Sequence, residues 1–112
     1  MPRDHKVYLE DILVACNKIQ KFTKAYSSEK FFRDEKTFDA VVRNLQIIGE
    51  AAKKVPSQVC SKYPLVEWKK IAGLRDILTH DYFGIDAEIV WDVVQNKLPS
   101  LKNQIQKILK EQ

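Results

Sequence analysis

The sequence predicts an all-α fold, an antiparallel bundle of four to five main helices. Apolar residues recur at steps of three and four along most of the 112 residues, which is the spacing of one face of a helix. Only three glycines and four prolines are available for turns, and no long segment alternates apolar and polar residues as a half-buried strand would. We therefore expect a single helical domain over residues 1–112, with one modest core.

Two long helices are predicted in the first half of the chain. Asp4 can cap the first and Asp34 the second, because an aspartate side chain accepts hydrogen bonds from the free N–H groups of a first helical turn. Pro56 ends the second long helix, since proline has no N–H to donate. A short helical segment between them carries Phe31 and Phe32, which we expect to point inward together. The predicted core faces consist of Tyr8, Ile12, Ala15, Cys16, Ile19 and Tyr26, and of Phe38, Val41, Val42, Leu45, Ile48, Ala52 and Val55.

Gly49 lies inside the second long helix, where a glycine costs about 1 kcal/mol relative to alanine. Such a cost is accepted where another backbone must come close. The glycine therefore predicts a close approach of another helix or of a ligand at this point.

The second half of the chain is also predicted to be helical. A short helix over residues 56–63 is followed by a longer one from about 66 to 83. Asp86 begins the next helix, and Pro99 predicts a break near Lys97, because proline kinks or ends a helix in which it lies. The predicted core faces here consist of Ile89, Val90, Val93, Val94 and Leu98, and of Leu101, Ile105, Ile108 and Leu109.

Charge and composition narrow the classes of function. The chain carries 19 Lys and Arg against 15 Asp and Glu, and this net +4 favours a polyanion, although ordinary solvated helix faces explain it equally well. No helix concentrates basic residues on one face as groove recognition of DNA needs. No apolar run approaches the roughly 20 residues of a membrane span, and the start has no apolar signal segment. Two widely spaced cysteines suit a reducing compartment, so we expect a soluble cytoplasmic protein.

The segment from Ile71 to Asp86 concentrates the reactive side chains. It places Arg75, His80 and Tyr82 within eight residues. A guanidinium holds a phosphate through a planar fork of donors, and histidine changes protonation near neutral pH. Asp76, four residues before His80, could orient the imidazole or be a plain surface carboxylate. The segment predicts a site for phosphodiester cleavage, with Arg75 and His80 as catalytic residues.

The helical register separates Arg75 from His80. At about 100° per residue the two positions lie about 140° apart, so both side chains cannot meet on one phosphate from a single regular helix. Either the helix loosens before Gly84, or two copies of the chain share the site at a twofold interface. A dimer would supply two histidines, one to take the proton of the 2′-hydroxyl and one to protonate the leaving 5′-oxygen. Arg75 would then stabilise the charge on the phosphorane.

Each of these residues also has a structural explanation, which spacing alone favours. His80 can be a favourable charge at a helix C-terminus, Arg75 can stack on Trp68, and Tyr82 can lie at the rim of the core with its hydroxyl in water. A metal site is not predicted, because only Asp76 stands at a useful step from His80 and three protein ligands are normally needed. We also predict no cofactor.

The sequence resembles the HEPN superfamily (higher eukaryotes and prokaryotes nucleotide-binding), and within it the HepT branch of toxins. That branch is marked by Arg-x4-His-x-Tyr, which Arg75, His80 and Tyr82 match. The resemblance covers nearly the whole chain. It extends over Arg43-Asn-Leu-Gln-Ile-Ile-Gly-Glu-Ala-Ala-Lys-Lys-Val, Trp68-Lys-Lys-Ile-Ala-Gly-Leu-Arg, His80-Asp-Tyr-Phe-Gly-Ile-Asp, Val90-Trp and Leu98-Pro.

The resemblance implies a homodimer with a composite cleft that cuts RNA without a metal ion and acts as a toxin. It also implies an antitoxin, a minimal nucleotidyltransferase that transfers AMP from ATP to Tyr82, where the added charge and bulk would block the cleft beside Arg75. Family members often have asparagine after the arginine. The carboxylate of Asp76 would weaken RNA binding unless Arg75 or His80 neutralises it. The alternative is a non-catalytic HEPN subunit that binds nucleotide or the nucleotidyltransferase.

Overall fold

The computed structural model describes residues 4–80 and 86–111, and at Ile77, Thr79 and His80 it describes only the backbone. Every regular element in these residues is a helix, which confirms the predicted all-α class. The helices are α1 (His5–Thr23), α2 (Ser28–Arg33), α3 (Glu35–Lys54), α4 (Ser57–Lys62), α5 (Trp68–His80), α6 (Ala87–Asp92), a π-helical turn (Val93–Lys97) and α7 (Leu98–Glu111).

Helix α3 lies between α1 and α5, and α7 packs on α1. Contacts at both ends of the first pair show that α1 and α3 run antiparallel. The ammonium of Lys54, at the end of α3, lies 5.9 Å from the ring centre of Tyr8 near the start of α1. At the other end, the hydroxyl of Tyr26, just after α1, donates to Asp34, just before α3, at 2.6 Å. The central position of α3 allows it to hold the helix that carries the predicted site.

The predicted helix caps are confirmed. Asp4 accepts a hydrogen bond from the backbone N–H of Lys6, and Asp34 accepts one from the backbone N–H of Thr37 at 3.1 Å. Asp34 also accepts from the hydroxyls of Tyr26 and Thr37, and these hydrogen bonds hold the pKa of its carboxyl at about 2. The same carboxylate therefore starts α3 and ties it to the end of α1.

The core is built mainly from the apolar faces of α1, α3 and α7, and Phe31 of α2, Leu78 of α5 and Val90 of α6 complete it. Cys16 is fully buried there, and burial raises the pKa of its thiol to about 12. None of the described helices has the length and apolar character needed to cross a bilayer. The largest fully buried side chains are Phe31, Leu9, Ile12, Ile19, Leu45, Ile48, Leu98, Ile105, Ile108, Val41 and Cys16.

Two apolar residues that we expected in the core lie at the surface. Phe32 is 44% exposed and Ile89 is 63% exposed, whereas their neighbours Phe31 and Val90 are buried. Adjacent positions on a helix point about 100° apart, so the short helices α2 and α6 turn one of two neighbouring apolar side chains inward. The predictions for Phe32 and Ile89 are therefore wrong.

The predicted break near Lys97 is also wrong, because the chain stays helical from Ala87 to Glu111. The turn before Pro99 widens instead. The N–H of Leu98 donates to the carbonyl of Val93, five residues earlier, and the backbone at both residues is α-helical. A π-helical turn gives the proline ring room that a regular α-helical turn lacks, so the helix passes the proline without ending.

Candidate active site

Helix α5 carries the predicted site and is fixed at both ends. Its first residue, Trp68, donates its indole N–H to the carbonyl of Tyr63 at 3.0 Å, and Leu78 near its end is buried. Ile71 and Leu74 lie half-buried between them and pack against the core, so this face of α5 is turned toward the rest of the bundle. The sequence predicted a helix from about residue 66 to 83. It begins at Trp68, and its end lies outside the described residues, as does the predicted modification site Tyr82.

Gly49 is a point of close approach between α3 and α5 at the site. A Cβ built on this glycine would lie 2.8 Å from the Cβ of Arg75, 2.8 Å from the Arg75 backbone nitrogen and 3.0 Å from the carbonyl oxygen of Ile71. Real Cβ atoms do not approach backbone so closely. The predicted close approach at Gly49 is confirmed, and its partner is the backbone of the motif arginine itself.

Gln46 makes a second contact from α3 to the same helix. Its side-chain amide donates to the carbonyl of Leu78 at 3.2 Å. Sequence reasoning did not identify this residue. Its spacing in the sequence could have indicated it. Gln46 precedes Gly49 by three residues and therefore lies on the same face of α3. Together the two residues position the turns of α5 that carry Arg75 and His80.

The side chain of Arg75 is 39% exposed and pairs with Asp76, with Nη1 3.2 Å from the carboxylate. Stacking of Arg75 on Trp68, the structural alternative for this residue, is not found among the described contacts of the two side chains. One N–H of the guanidinium is used by Asp76, so the other donors remain for a phosphate. Arg75 therefore neutralises Asp76, and the side chain of His80 lies outside the described atoms.

The backbone stays α-helical from Arg75 to His80. The two positions therefore lie about 140° apart around α5, as in the sequence-based expectation. Loosening of the helix between these residues is not observed, and any loosening beyond His80 lies outside the described residues. The other option, in which Arg75 of one chain meets His80 of another, stays a prediction. The role of Asp76 in orienting His80 stays a prediction.

A cleft of about 410 Å³ opens on the opposite side of α5 from Asp76, between α3, α5 and α7. Its polar rim includes Glu67 and Lys70, paired at 2.8 Å, and this pairing lowers the pKa of Glu67. Arg75 does not line this cleft. Within residues 4–80 and 86–111, no three His, Cys, Asp or Glu side chains whose positions are described lie together as a metal site requires.

Known proteins resemble this chain over almost its whole length. Residues 12–108 match the family described as Ribonuclease HepT-like. The chain is 46% identical over 112 residues to a candidate RNase of Methanocaldococcus jannaschii, covering 99% of this chain and 93% of that protein. It is 44% identical to a candidate ribonuclease HepT of Thermococcus cleftensis, covering 98% of this chain and 100% of that protein. A candidate RNase of Caldanaerobacter subterraneus is 41% identical, covering 94% of each chain. No solved structure matches the chain significantly.

Proposed function

Because the chain belongs to the HepT-like ribonuclease family, we propose that it is an RNA endonuclease whose active site is shared between two copies of the chain. The observation that carries the proposal is the register of α5. Arg75 is half exposed and held against Gly49, and His80 lies about 140° further round the same unbroken helix. A phosphate bound by Arg75 therefore needs its histidine from another subunit, and a twofold axis supplies one.

The proposed reaction uses the RNA's own 2′-hydroxyl as the nucleophile. One His80 takes the proton of that hydroxyl, the oxygen bonds to the neighbouring phosphorus, and the bond from phosphorus to the 5′-oxygen breaks. The leaving 5′-oxygen takes a proton from water, and the imidazolium returns its proton to solvent, so each cleavage uses one His80 and the second His80 serves the second, symmetry-related site. The products are a 2′,3′-cyclic phosphate and a 5′-hydroxyl. Arg75 donates to the phosphate oxygens as negative charge builds up on them, and no step needs a metal ion.

We further propose that this endonuclease is a cytoplasmic toxin silenced by a minimal nucleotidyltransferase. That enzyme joins the Tyr82 oxygen to the α-phosphorus of ATP, with release of pyrophosphate and loss of the phenol proton to solvent. The added phosphate is negatively charged and lies seven residues from Arg75. On a continuing helix Tyr82 would sit only about 20° round from Arg75, so the adenylyl group would compete with RNA for the guanidinium.

RNA cleavage by the purified chain tests the catalytic proposal. In buffer with a chelator, we expect the wild type to cut single-stranded RNA and to leave cyclic phosphate ends, and His80→Ala to be slower by about 10² to 10⁴. Equal melting temperatures of the two proteins would show that the loss is chemical. A wild type no faster than His80→Ala would contradict the proposal. Tight nucleotide binding without cleavage would then favour the non-catalytic alternative.

The intact mass of the chain tests the proposed control by AMP. After co-expression with a minimal nucleotidyltransferase of the proposed antitoxin class, we expect mass increases in steps of one adenylyl group, and loss of cleavage in the modified fraction. Tyr82→Phe should show no increase, because it lacks the acceptor oxygen, and should stay active in the presence of that enzyme. Modification that persists in Tyr82→Phe would place the acceptor elsewhere.

A further inference from the structure

Gly73 lies in the middle of α5, and no contact within the described chain explains it. Its φ is not positive, so the backbone does not require a glycine. A Cβ built there would meet no described atom within 4 Å, whereas one at Gly49 would collide with α5. Glycine weakens a helix, and its usual compensation is close approach of another group. For Gly73 that group must come from outside the described chain.

The residues in line with Gly73 indicate what that group is. Lys69 lies four positions before it, Asp76 three after and His80 seven after, so the four share one line along α5. We call this line the outer face of α5. Lys69 is exposed and has no ion pair with a described residue. The carboxylate of Asp76 is paired with Arg75. Among the described side chains, the outer face therefore offers one available cation, at Lys69, together with backbone that carries no side chain at Gly73 and the register of the motif histidine.

We propose that single-stranded RNA lies along the outer face of α5, passing Gly73 closely, with Lys69 binding a phosphate a few nucleotides from the cleaved bond. This inference rests on the proposed ribonuclease function. Lys69 and His80 are eleven residues apart, roughly 16 Å along the helix, so an extended strand of a few nucleotides connects them. A second copy of the chain is the competing occupant. The RNA is favoured because this face continues directly from the catalytic position and carries the available charge.

The first test compares two neighbouring lysines. Lys69→Ala should raise KM for a short mixed-sequence RNA by about 3- to 10-fold and leave kcat within about twofold, because it removes one phosphate contact distant from the chemistry. The negative slope of log binding constant against log salt should become less steep by about 0.7. Lys70→Ala is the matched control. Lys70 is already paired with Glu67 and lines the cleft on the other side of α5, so its loss should change neither quantity.

The second test fills the open space at Gly73. Gly73→Ala should raise the melting temperature by about 4 °C, because alanine favours the helix, while it raises KM and the dissociation constant for RNA. Gly73→Leu should weaken RNA binding further. A protein that is more stable but binds RNA less well cannot be explained by misfolding.

Three results would overturn the inference. Unchanged KM in Lys69→Ala and Gly73→Ala, in an enzyme that still depends on His80, would leave the proposed function intact and reject the RNA path. A shift from dimer to monomer in Gly73→Ala, seen by light scattering, would assign the face to a second copy instead. If the wild type does not cleave RNA, the proposed function fails. The RNA path is then tested by binding alone, and an affinity for RNA that does not change in Lys69→Ala and Gly73→Ala would reject it.

Discussion

Mixing an Arg75→Ala subunit with a His80→Ala subunit should restore RNA cleavage that neither variant has alone. If each site takes Arg75 from one chain and His80 from the other, a mixed dimer keeps one complete site and loses the other completely. Random exchange at equal concentrations makes about half of the dimers mixed, so the expected recovery is about a quarter of wild-type activity for a closed twofold dimer. Each variant alone should be slower by at least about 10².

The result separates a shared site from a site within one chain. A site built from Arg75 and His80 of the same subunit cannot be rebuilt by mixing, so recovery near zero after complete exchange would contradict the shared site. Exchange itself can be followed by the mass of the mixed dimer in native conditions. The double variant, with both substitutions in one chain and mixed with wild type, is the matched control. Its mixed dimers contain no complete shared site, so that mixture should fall below the activity of its wild-type component alone.

The helical bundle and its caps could be predicted from the sequence because they depend on local physics. The three- and four-residue spacing of apolar side chains places the core face of a long helix reliably, and an aspartate such as Asp34 caps whichever helix follows it. The pattern fails where a helix is short. In a short helix, the sequence does not show which of two neighbouring apolar residues, such as Phe31 and Phe32, faces the core. That choice depends on which side of the helix the rest of the fold covers. The break predicted from Pro99 was wrong for a related reason. A π-helical turn accommodates the proline within a continuous helix, and the sequence pattern alone does not show that such a turn will form.

The motif residues of the candidate site and their helical register could be predicted from the sequence, but the contacts that hold the motif helix could not. Residue types and spacing indicated Arg75 and His80, and Gly49 was expected to accommodate a close neighbour. The sequence could not say that the neighbour of Gly49 is the backbone of Arg75 itself, because that pairing joins residues 26 positions apart and is set by how α3 and α5 cross. Gln46 was missed for the same reason, since its partner is a backbone carbonyl on the other helix.

Replacing each of the two helical glycines with alanine should change stability in opposite directions. Gly73→Ala should stabilise the fold by about 0.5–1 kcal/mol, because alanine favours the helix and the added methyl group meets no described atom within 4 Å. Gly49→Ala gains the same helix preference, but its methyl group would lie 2.8 Å from the Arg75 backbone. Overpacking of this kind costs about 1–3 kcal/mol, so a net loss of up to about 2 kcal/mol is expected. Unfolding in urea measures both changes.

The difference between the two variants isolates the steric contribution, because the helix preference is common to both and cancels. We expect that difference to be about 1–3 kcal/mol. The collision at Gly49 is with backbone, so it can be relieved only by moving α5, and Arg75 moves with it. Gly49→Ala should therefore lower kcat for RNA cleavage at temperatures where the protein remains folded, since a small displacement of a catalytic group is costly. A contradicting result would be a Gly49→Ala protein that is as much more stable as Gly73→Ala and has an unchanged kcat. It would show that α3 does not hold Arg75 in place.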